Sequence, residues 1–188
     1  MLSIYIFIAL VIGQRLVELR IAKKNERWIK AQGGYERGES HYPYIVTLHV
    51  VFFLSLLSEV TLTWTEEKSW NFIALVAFLF AQWGRFWVLT SLGKFWNTKI
   101  LVLPGAKVVR KGPYRYMRHP NYFIVLIEMV TLPLIFHAYW TAWIFTVSSA
   151  IILYVRIREE EAALKEATDY GDVFFPKTGE DEHEKYEH

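Results

Sequence analysis

The chain has 188 residues, which is enough for one domain of ordinary size. Hydrophobic residues make up 53% of it and aromatic residues 17%, more apolar surface than a soluble domain of this length can easily bury, so we predict an integral membrane protein. The net charge of +2 gives no reason to expect a nucleic-acid partner. The absence of cysteine excludes disulfides, thiolate metal sites and a cysteine nucleophile.

Apolar stretches long enough to cross a bilayer recur along the chain, since a span needs about 20 mostly apolar residues. The predicted spans lie near residues 2–22, 44–64, 70–92, 121–137 and 139–157. The last two form one long apolar block, which we divide because a weak break at Thr131–Pro133 and a more polar point at His137–Tyr139 indicate a tight turn. We therefore expect an all-α membrane domain of about five transmembrane helices over residues 1–175, followed by an acidic, flexible tail at 176–188.

Lysine and arginine are unevenly distributed among the loops between these spans. The segment from Arg20 to His41 carries six of them, and Gly93–Asn121 carries seven with no acidic residue. By the positive-inside rule both segments face the cytoplasm. We therefore predict a membrane protein with its N-terminus outside and its C-terminus inside, so that the polar segments share the cytoplasmic side.

The first polar segment that could carry chemistry is GPYRYMRHPNY, Gly112–Tyr122. Proline is favoured in the first turn of a helix, so Pro120 predicts a helix start with His119 at its N-terminus. Free backbone N–H groups and the helix dipole favour an anionic group at such a position. The alternative interpretation is a basic anchor whose side chains snorkel to the membrane surface.

The second polar segment, Tyr154–Phe174, continues the fifth span into the cytoplasm. Arg156 and Glu160 are four residues apart and share a helix face. We expect Arg156 and an acid of this run, Glu160 or Glu161, to face His119 across the preceding loop. The alternative is a solvated group of charges beside the membrane.

Polar side chains also lie inside the first three spans, where they are costly. The residues concerned are Gln14, Arg15, Glu18, Gln82 and Arg85. They either pair with one another between helices or share in a polar cavity. No metal site is predicted, because the six histidines are scattered or lie in the tail.

Three segments, in this order, resemble the isoprenylcysteine carboxyl methyltransferase family. They are LGKFWN at Leu92–Asn97, AKVVRKGPYRYMRHPNY at Ala106–Tyr122, and RIREEEAAL with DYGDVF within Arg156–Phe174. One departure is Ala106, where many members carry a histidine. The N-terminal half, with QRLVELRIAKKNE, is most similar to bacterial members. Some of these resemble enzymes that O-methylate long-chain alkylpyrones made by type III polyketide synthases.

The resemblance implies S-adenosylmethionine as cofactor, bound without a Rossmann domain in a cytoplasmic-side pocket formed by the loop before helix 4 and the C-terminal helix. The cofactor contacts that it implies are Val108, Val109, Tyr114, Arg118, His119, Pro120, Tyr122, Glu160 and Glu161. Arg156 and Glu160 are the implied catalytic residues, with Arg156 shaping the acceptor site. The sequence leaves open which of Glu159–Glu161 contacts the cofactor.

The predicted function is therefore an S-adenosylmethionine-dependent O-methyltransferase of a lipophilic acidic acceptor that enters from the bilayer. An alkylpyrone or a similar lipophilic enol is the favoured acceptor, and an isoprenylcysteine carboxylate is the first alternative. Two further alternatives are an NADPH-dependent membrane reductase of the sterol-reductase type and a non-catalytic membrane adaptor. Besides the acceptor, membrane lipids are the expected partners, and protein partners are not predicted.

Overall fold

Long apolar helices separated by short polar connections make up most of the chain. The computed structural model describes residues 1–39, 42–65 and 69–175. The α-helices within these ranges are α1 (Leu2–Ala31), α2 (Tyr42–Thr63), α3 (Phe72–Leu92), α4 (Pro120–Ile135), α5 (Tyr139–Ala167) and α6 (Tyr170–Phe174). Two three-residue strands, β1 (Tyr35–Arg37) and β2 (Ile100–Val102), pair in antiparallel register with Glu36 opposite Leu101. The predicted tail at 176–188 lies outside the described residues.

The prediction of an all-α integral membrane protein is confirmed. In the described part of the chain, four helices (α1, α2, α3 and α5) are long and apolar enough to cross a membrane. Their outer faces carry large apolar side chains, such as Leu62 at 84% exposure and Ile73 at 85%, as expected of helices that face lipid. With 16 residues, α4 is about 24 Å long, shorter than the roughly 30 Å hydrocarbon core. Five crossings therefore stay a prediction.

The structure shows where the helices that contain two of the predicted spans end. The first helix continues past residue 22 to Ala31, so much of the predicted basic loop is helical. The lysines, arginines and alanines of the extension favour helix, and no glycine occurs between residue 22 and Gly33. The weak break predicted at Thr131–Pro133 does not occur, because Pro133 lies in the last turn of α4, where the missing N–H removes one intrahelical bond. The turn lies at His137, whose φ is 59°, which is the more polar point predicted at His137–Tyr139.

The helices pack around α4, which contacts α3 on one side and α5 on the other, while α2 packs on α5. All five helices from α1 to α5 contribute to one apolar core, which includes Ile8, Leu56 and Phe136. In the same region Glu59 of α2 accepts hydrogen bonds from the backbone N–H groups of Trp140 (3.1 Å) and Thr141 (2.8 Å). A side chain of α2 thus caps the N-terminus of α5, where a negative charge is favourable.

The small sheet gathers the connections at one end of the bundle. β1 belongs to the α1–α2 connection and β2 to the α3–α4 connection, so their pairing brings these two basic segments together. Ala163 of α5, fully buried, packs against Ile100 and Val102. At the opposite end the ring of His137 contacts the backbone oxygen of Ser69 at 2.8 Å. The two ends of the bundle are therefore chemically distinct.

Candidate functional site

The α3–α4 loop is held in place by the extension of α1. The side-chain amide of Asn25 donates to the carbonyl oxygens of Trp96 (2.7 Å) and Gly93 (3.2 Å). The side chain of Asn97 donates in turn to the carbonyl oxygen of Ala22 at 2.8 Å. Trp96 is 2% exposed between these contacts. The continuation of α1 beyond the apolar span therefore holds the first segment, LGKFWN, in place through these hydrogen bonds.

A glycine sets the position of the next segment. Gly112 has a φ of +56°, a conformation that residues with a Cβ rarely adopt. A Cβ here would overlap Ser91 Oγ and lie 3.0 Å from Trp87 Nε1. The close approach packs the turn Gly112–Arg115 against α3 and fixes where Tyr114 lies.

The end of α5 holds the same loop from the other side. The backbone N–H of Gly105 donates to the carbonyl oxygen of Ala167 at 2.9 Å. The backbone N–H of Val108 donates to Asp169 Oδ1 at 2.8 Å. Asp169 belongs to the DYGDVF segment, but no sequence argument assigned it a role. It occupies a backbone donor that the family resemblance implied would contact the cofactor.

These three attachments enclose a cavity of about 140 Å³ between the loop and the C-terminal end of α5. The predicted site residues that line it are Val108, Val109, Tyr114, Arg118, His119, Tyr122 and Glu160. The other three adjoin it: Pro120 is buried at the start of α4, and Arg156 and Glu161 hydrogen-bond to lining side chains. We name this space the loop cavity.

Glu161 occupies the cationic side of the loop cavity. Its Oε1 lies 2.9 Å from Arg118 Nη1, 3.0 Å from His119 Nε2 and 3.3 Å from the Tyr170 hydroxyl. Burial, together with the charge of Glu161, raises the pKa of Tyr170, which therefore stays neutral and donates. Any incoming anion would share Arg118 and His119 with this carboxylate.

Glu160 takes a different partner on the neighbouring face. The Tyr122 hydroxyl donates to Glu160 Oε2, and Arg156 Nε donates to the Tyr122 oxygen at 2.8 Å. Arg156 Nη2 also donates to the carbonyl oxygen of Thr98 at 2.6 Å. The rings of His119 and Tyr122 stack with centroids 5.6 Å apart and join the two glutamate clusters. The expected juxtaposition of α5 acids, Arg156 and His119 is therefore present.

Two other polar side chains line the loop cavity, Lys99 and Tyr114, and the pKa of each is raised above its usual value. Lys99 lines it but is paired with Glu26 at 3.1 Å and Glu36 at 3.0 Å. Burial alone would lower the pKa of Lys99, but these hydrogen bonds outweigh burial and raise it above its usual value. Burial, with a smaller contribution from the charge of Glu160, raises the pKa of Tyr114, so its hydroxyl stays protonated.

The N-terminus of α4 offers an anion fewer backbone donors than the helix-dipole argument implied. Pro120, the first helical residue, has no N–H, and the N–H of Tyr122 donates to the carbonyl oxygen of His119 at 3.2 Å. An anion at this end would therefore meet mainly side chains, the guanidinium of Arg118 and the ring of His119.

The polar residues of the spans pair between helices, as the first interpretation held. Arg85 donates to both oxygens of Glu18, at 2.8 and 2.7 Å, and to Glu128 at 2.8 Å. Arg15 pairs with the same two acids, at 2.9 Å to Glu18 and 2.8 Å to Glu128. Gln14 and Gln82 bond to each other at 2.8 Å. Sequence reasoning missed Glu128, although a lone acid in an apolar span was a signal for it.

Comparison with known proteins places this geometry in context. The model of the isoprenylcysteine carboxyl methyltransferase family matches residues 72–166. The chain is 48% identical over 162 residues to a Bacillus subtilis protein described as uncharacterized protein YpbQ, covering 86% of this chain and 96% of that protein. It is 32% identical over 165 residues to an uncharacterized protein of Haemophilus influenzae, covering 87% and 96%. No solved structure matches.

Proposed function

The chain belongs to the isoprenylcysteine carboxyl methyltransferase family, bacterial branch, and from this premise we propose that it O-methylates a lipophilic acidic acceptor with S-adenosylmethionine. Family membership indicates a membrane methyltransferase, and members use S-adenosylmethionine. The acceptor and the oxygen as methylated atom are our proposal. The observation that carries it is the convergence of His119, Tyr122, Arg156 and Glu160 at one cavity within the matched region.

The residues around the loop cavity fit a zwitterionic cofactor. Arg118 is the cation for its carboxylate and the His119 ring is a hydrogen-bonding partner, and the carboxylate would share both with Glu161. Glu160 is an acceptor for its ammonium group or ribose hydroxyls. The rings of Tyr114 and Tyr122 offer faces to the adenine or to the positive sulfonium. When bound, S-adenosylmethionine supplies an activated methyl group.

Val108 and Val109 are the apolar part of this proposed cofactor site, and both line the loop cavity. The Val108 N–H is held by Asp169, so in our proposal this backbone is a shaped wall for the cofactor and Val108 offers it no free donor. Pro120 contributes by starting α4 where it does, which sets the positions of His119 and Tyr122.

Arg156 is the residue that we assign to the acceptor. Arg156 is 6% exposed, and hydrogen bonds to Tyr122 and Thr98 hold its guanidinium, so its orientation is set before an acceptor arrives. An enolate or carboxylate is already ionised near neutral pH, so no strong general base is required. Methyl transfer is an in-line displacement in which positioning contributes most of the acceleration. A fixed cation that orients an anionic oxygen fits that requirement.

Among acceptors, an alkylpyrone or similar lipophilic enol comes first and a prenylcysteine carboxylate second, because the similar proteins are bacterial. A lipophilic acceptor also accounts for a methyltransferase embedded in a membrane, since such a molecule reaches the site from the bilayer. The positive-inside rule orients the loop cavity toward the cytoplasm of a bacterial cell, from which the cofactor arrives.

The test is methyl transfer by the purified protein in micelles, using methyl-labelled S-adenosylmethionine and two acceptors, a long-chain alkylpyrone and a prenylcysteine. We expect label on the alkylpyrone and at least a hundredfold lower rate for Arg156→Ala, because the acceptor anion loses its orienting cation. Arg115→Ala is the matched control, since Arg115 is an exposed arginine of the same loop end.

Other outcomes would redirect the proposal. Label on prenylcysteine alone would reverse the order of acceptors. Calorimetry that detects NADPH binding and no S-adenosylmethionine binding would replace the methyltransferase with a reductase. Binding of neither cofactor would favour a non-catalytic adaptor.

A further inference from the structure

The polar extension of α1 carries a row of basic side chains on its outer face. All four are exposed, and they are Arg20, Lys23, Lys24 and Arg27. Positions i, i+3, i+4 and i+7 of a helix share one face, so the four cations form a continuous stripe. The opposite face is the packed one, on which Ala22, Asn25 and Ile29 are buried. We name the four basic residues the α1 stripe.

The length of α1 places the α1 stripe at the surface of the membrane. The helix has 30 residues and is about 45 Å long, whereas the hydrocarbon core of a bilayer is about 30 Å thick. Leu16 and Val17, which are 54% and 51% exposed, lie one turn before Arg20 on the same outer face. That face therefore changes from apolar side chains to cations at Arg20, about 27 Å from the start of the helix.

An aromatic pair marks the same level of the membrane. Trp28 lies four residues after Lys24, and its ring meets that of Phe95 edge to face, with centroids 5.7 Å apart. Tryptophan is enriched where the hydrocarbon core meets water, so Trp28 indicates that this part of α1 lies at that boundary. Lys94 Nζ lies 5.0 Å from the centre of the Trp28 ring and adds a fifth exposed cation beside the α1 stripe.

The charges of the α1 stripe are not neutralised within the described part of the chain. None of the four side chains forms an ion pair with another residue of that part. The one acid between Arg20 and Arg27 is Glu26, whose Oε1 lies 2.7 Å from Lys30 Nζ and 3.1 Å from Lys99 Nζ. Glu26 therefore has its partners elsewhere, and the stripe presents four positive charges to its surroundings.

The shape of the α1 stripe favours a layer of lipid head groups over a single soluble anion. Arg20 and Arg27 are about 10 Å apart along the helix axis, farther than one phosphate group reaches. The stripe lies within a helix, where backbone N–H groups are already hydrogen-bonded, so no backbone donors converge on a small anion. Cations beside a membrane span attract anionic lipid, and each lysine or arginine near the surface adds to that attraction.

We propose that the α1 stripe binds the anionic head groups of phospholipids at the membrane surface. The partner is a phosphodiester lipid with a net negative charge, held by the cations of the stripe together with Lys94. The inference goes beyond the proposed function and does not depend on it, because α1 lies outside residues 72–166, which the family model matches. The extension of α1 then has two attachments, since Asn25 holds the α3–α4 loop on its packed face and lipid binds its outer face.

Native mass spectrometry of the whole protein, released from micelles, tests the proposal by measuring the dissociation constants of phosphatidylglycerol and of phosphatidylcholine with the same acyl chains. We expect the wild type to bind phosphatidylglycerol at least tenfold more tightly. Lys23→Gln with Arg27→Gln should weaken that binding at least fivefold, because two of the four cations are lost. Lys111→Gln with Arg115→Gln is the matched control, since it removes two exposed cations from the α3–α4 connection, and it should bind like the wild type.

A variant that keeps the charges separates electrostatic attraction from folding. Lys23→Arg with Arg27→Lys retains both cations and should bind phosphatidylglycerol like the wild type, with unchanged helix content by circular dichroism. Equal wild-type affinities for the two lipids, or equal losses in the two glutamine variants, would overturn the proposal. Full competition by glycerol phosphate would overturn it in favour of a soluble anion. Binding that appears only after removal of residues 176–188 would also overturn it, because the stripe would then belong to that acidic segment.

Discussion

At the scale of single residues, adjacent glutamates have different partners. Glu160 accepts from Tyr122, whereas Glu161 lies against Arg118 and His119. The sequence run of three glutamates left this choice open, because consecutive residues on a helix point about 100° apart and a small rotation exchanges their surroundings. In the structure Glu160 lines the loop cavity, whereas Glu161 adjoins it and pairs with Arg118 and His119. These contacts stay a prediction as far as cofactor binding is concerned.

Asp169 is the residue whose role sequence reasoning missed, and it offers a sharp test. Asp169→Ala removes the acceptor of the Val108 N–H, one of the two hydrogen bonds that hold the loop to the end of α5. A hydrogen bond to a charged group contributes about 1.5–3 kcal/mol, so we expect S-adenosylmethionine affinity to fall at least about tenfold by calorimetry.

The matched control for this prediction is Asp172→Ala, because Asp172 is an exposed acid three residues further along. It should bind the cofactor like the wild type. Equal affinities in wild type, Asp169→Ala and Asp172→Ala would show that the tie from Asp169 to Val108 does not shape the cofactor site.

At the scale of elements, α3 is fixed between α1 and α4 by charges rather than by apolar packing alone. Arg85 and Arg15 each contact both Glu18 and Glu128, and the four formal charges cancel. Arg85 and both acids are under 9% exposed, so each depends on its partners. Such an arrangement specifies how the helices are rotated, because a rotated helix would leave charges unpaired in an apolar medium.

Glu128→Leu should therefore destabilise the protein by about 3–5 kcal/mol, because it leaves an excess positive charge buried. Thermal or denaturant unfolding in micelles measures the change. Adding Arg15→Leu should recover part of the loss, since Arg85 and Glu18 then remain as a neutral bidentate pair. Glu166→Leu, at an acid whose side chain is 64% exposed, is the control and should stay near wild type. A double variant less stable than Glu128→Leu would contradict the network.

At the scale of the whole molecule, the structure groups the basic connections and the end of α5 at one end of the bundle. Because these segments share one end, labelling one residue at each end is enough to determine how the protein is oriented in the membrane. The absence of native cysteine provides a clean background for labelling with a membrane-impermeant maleimide. Lys111 and Ser69 lie at opposite ends and are exposed.

We expect Ser69→Cys to react in intact bacterial cells and Lys111→Cys to react only after the membrane is permeabilised, as the positive-inside rule requires. Labelling efficiency by gel shift is the readout. The reverse pattern would contradict a cytoplasmic loop cavity, and reaction of both variants in intact cells would contradict a span between them.

The helices were predictable because lipid leaves the backbone few alternatives. A span must satisfy its hydrogen bonds internally, so about 20 apolar residues in a row imply a helix. Apolar length alone does not determine where a helix ends: α1 continues through its polar extension to Ala31, and α4 continues through Pro133. The short pairing of β1 with β2 carried too weak a local signal, since three-residue strands depend on their partner.

From sequence alone, the membrane class, the positions of the helices, the family and the set of residues around the loop cavity could be inferred, because apolar length and ordered motifs are local properties. The partners within that set required the tertiary structure. The contact of Glu161 with His119 spans 42 positions, that of Val108 with Asp169 spans 61, and that of Arg85 with Glu18 spans 67. Which side chains meet over such separations depends on how each helix is rotated, and packing between helices decides that rotation.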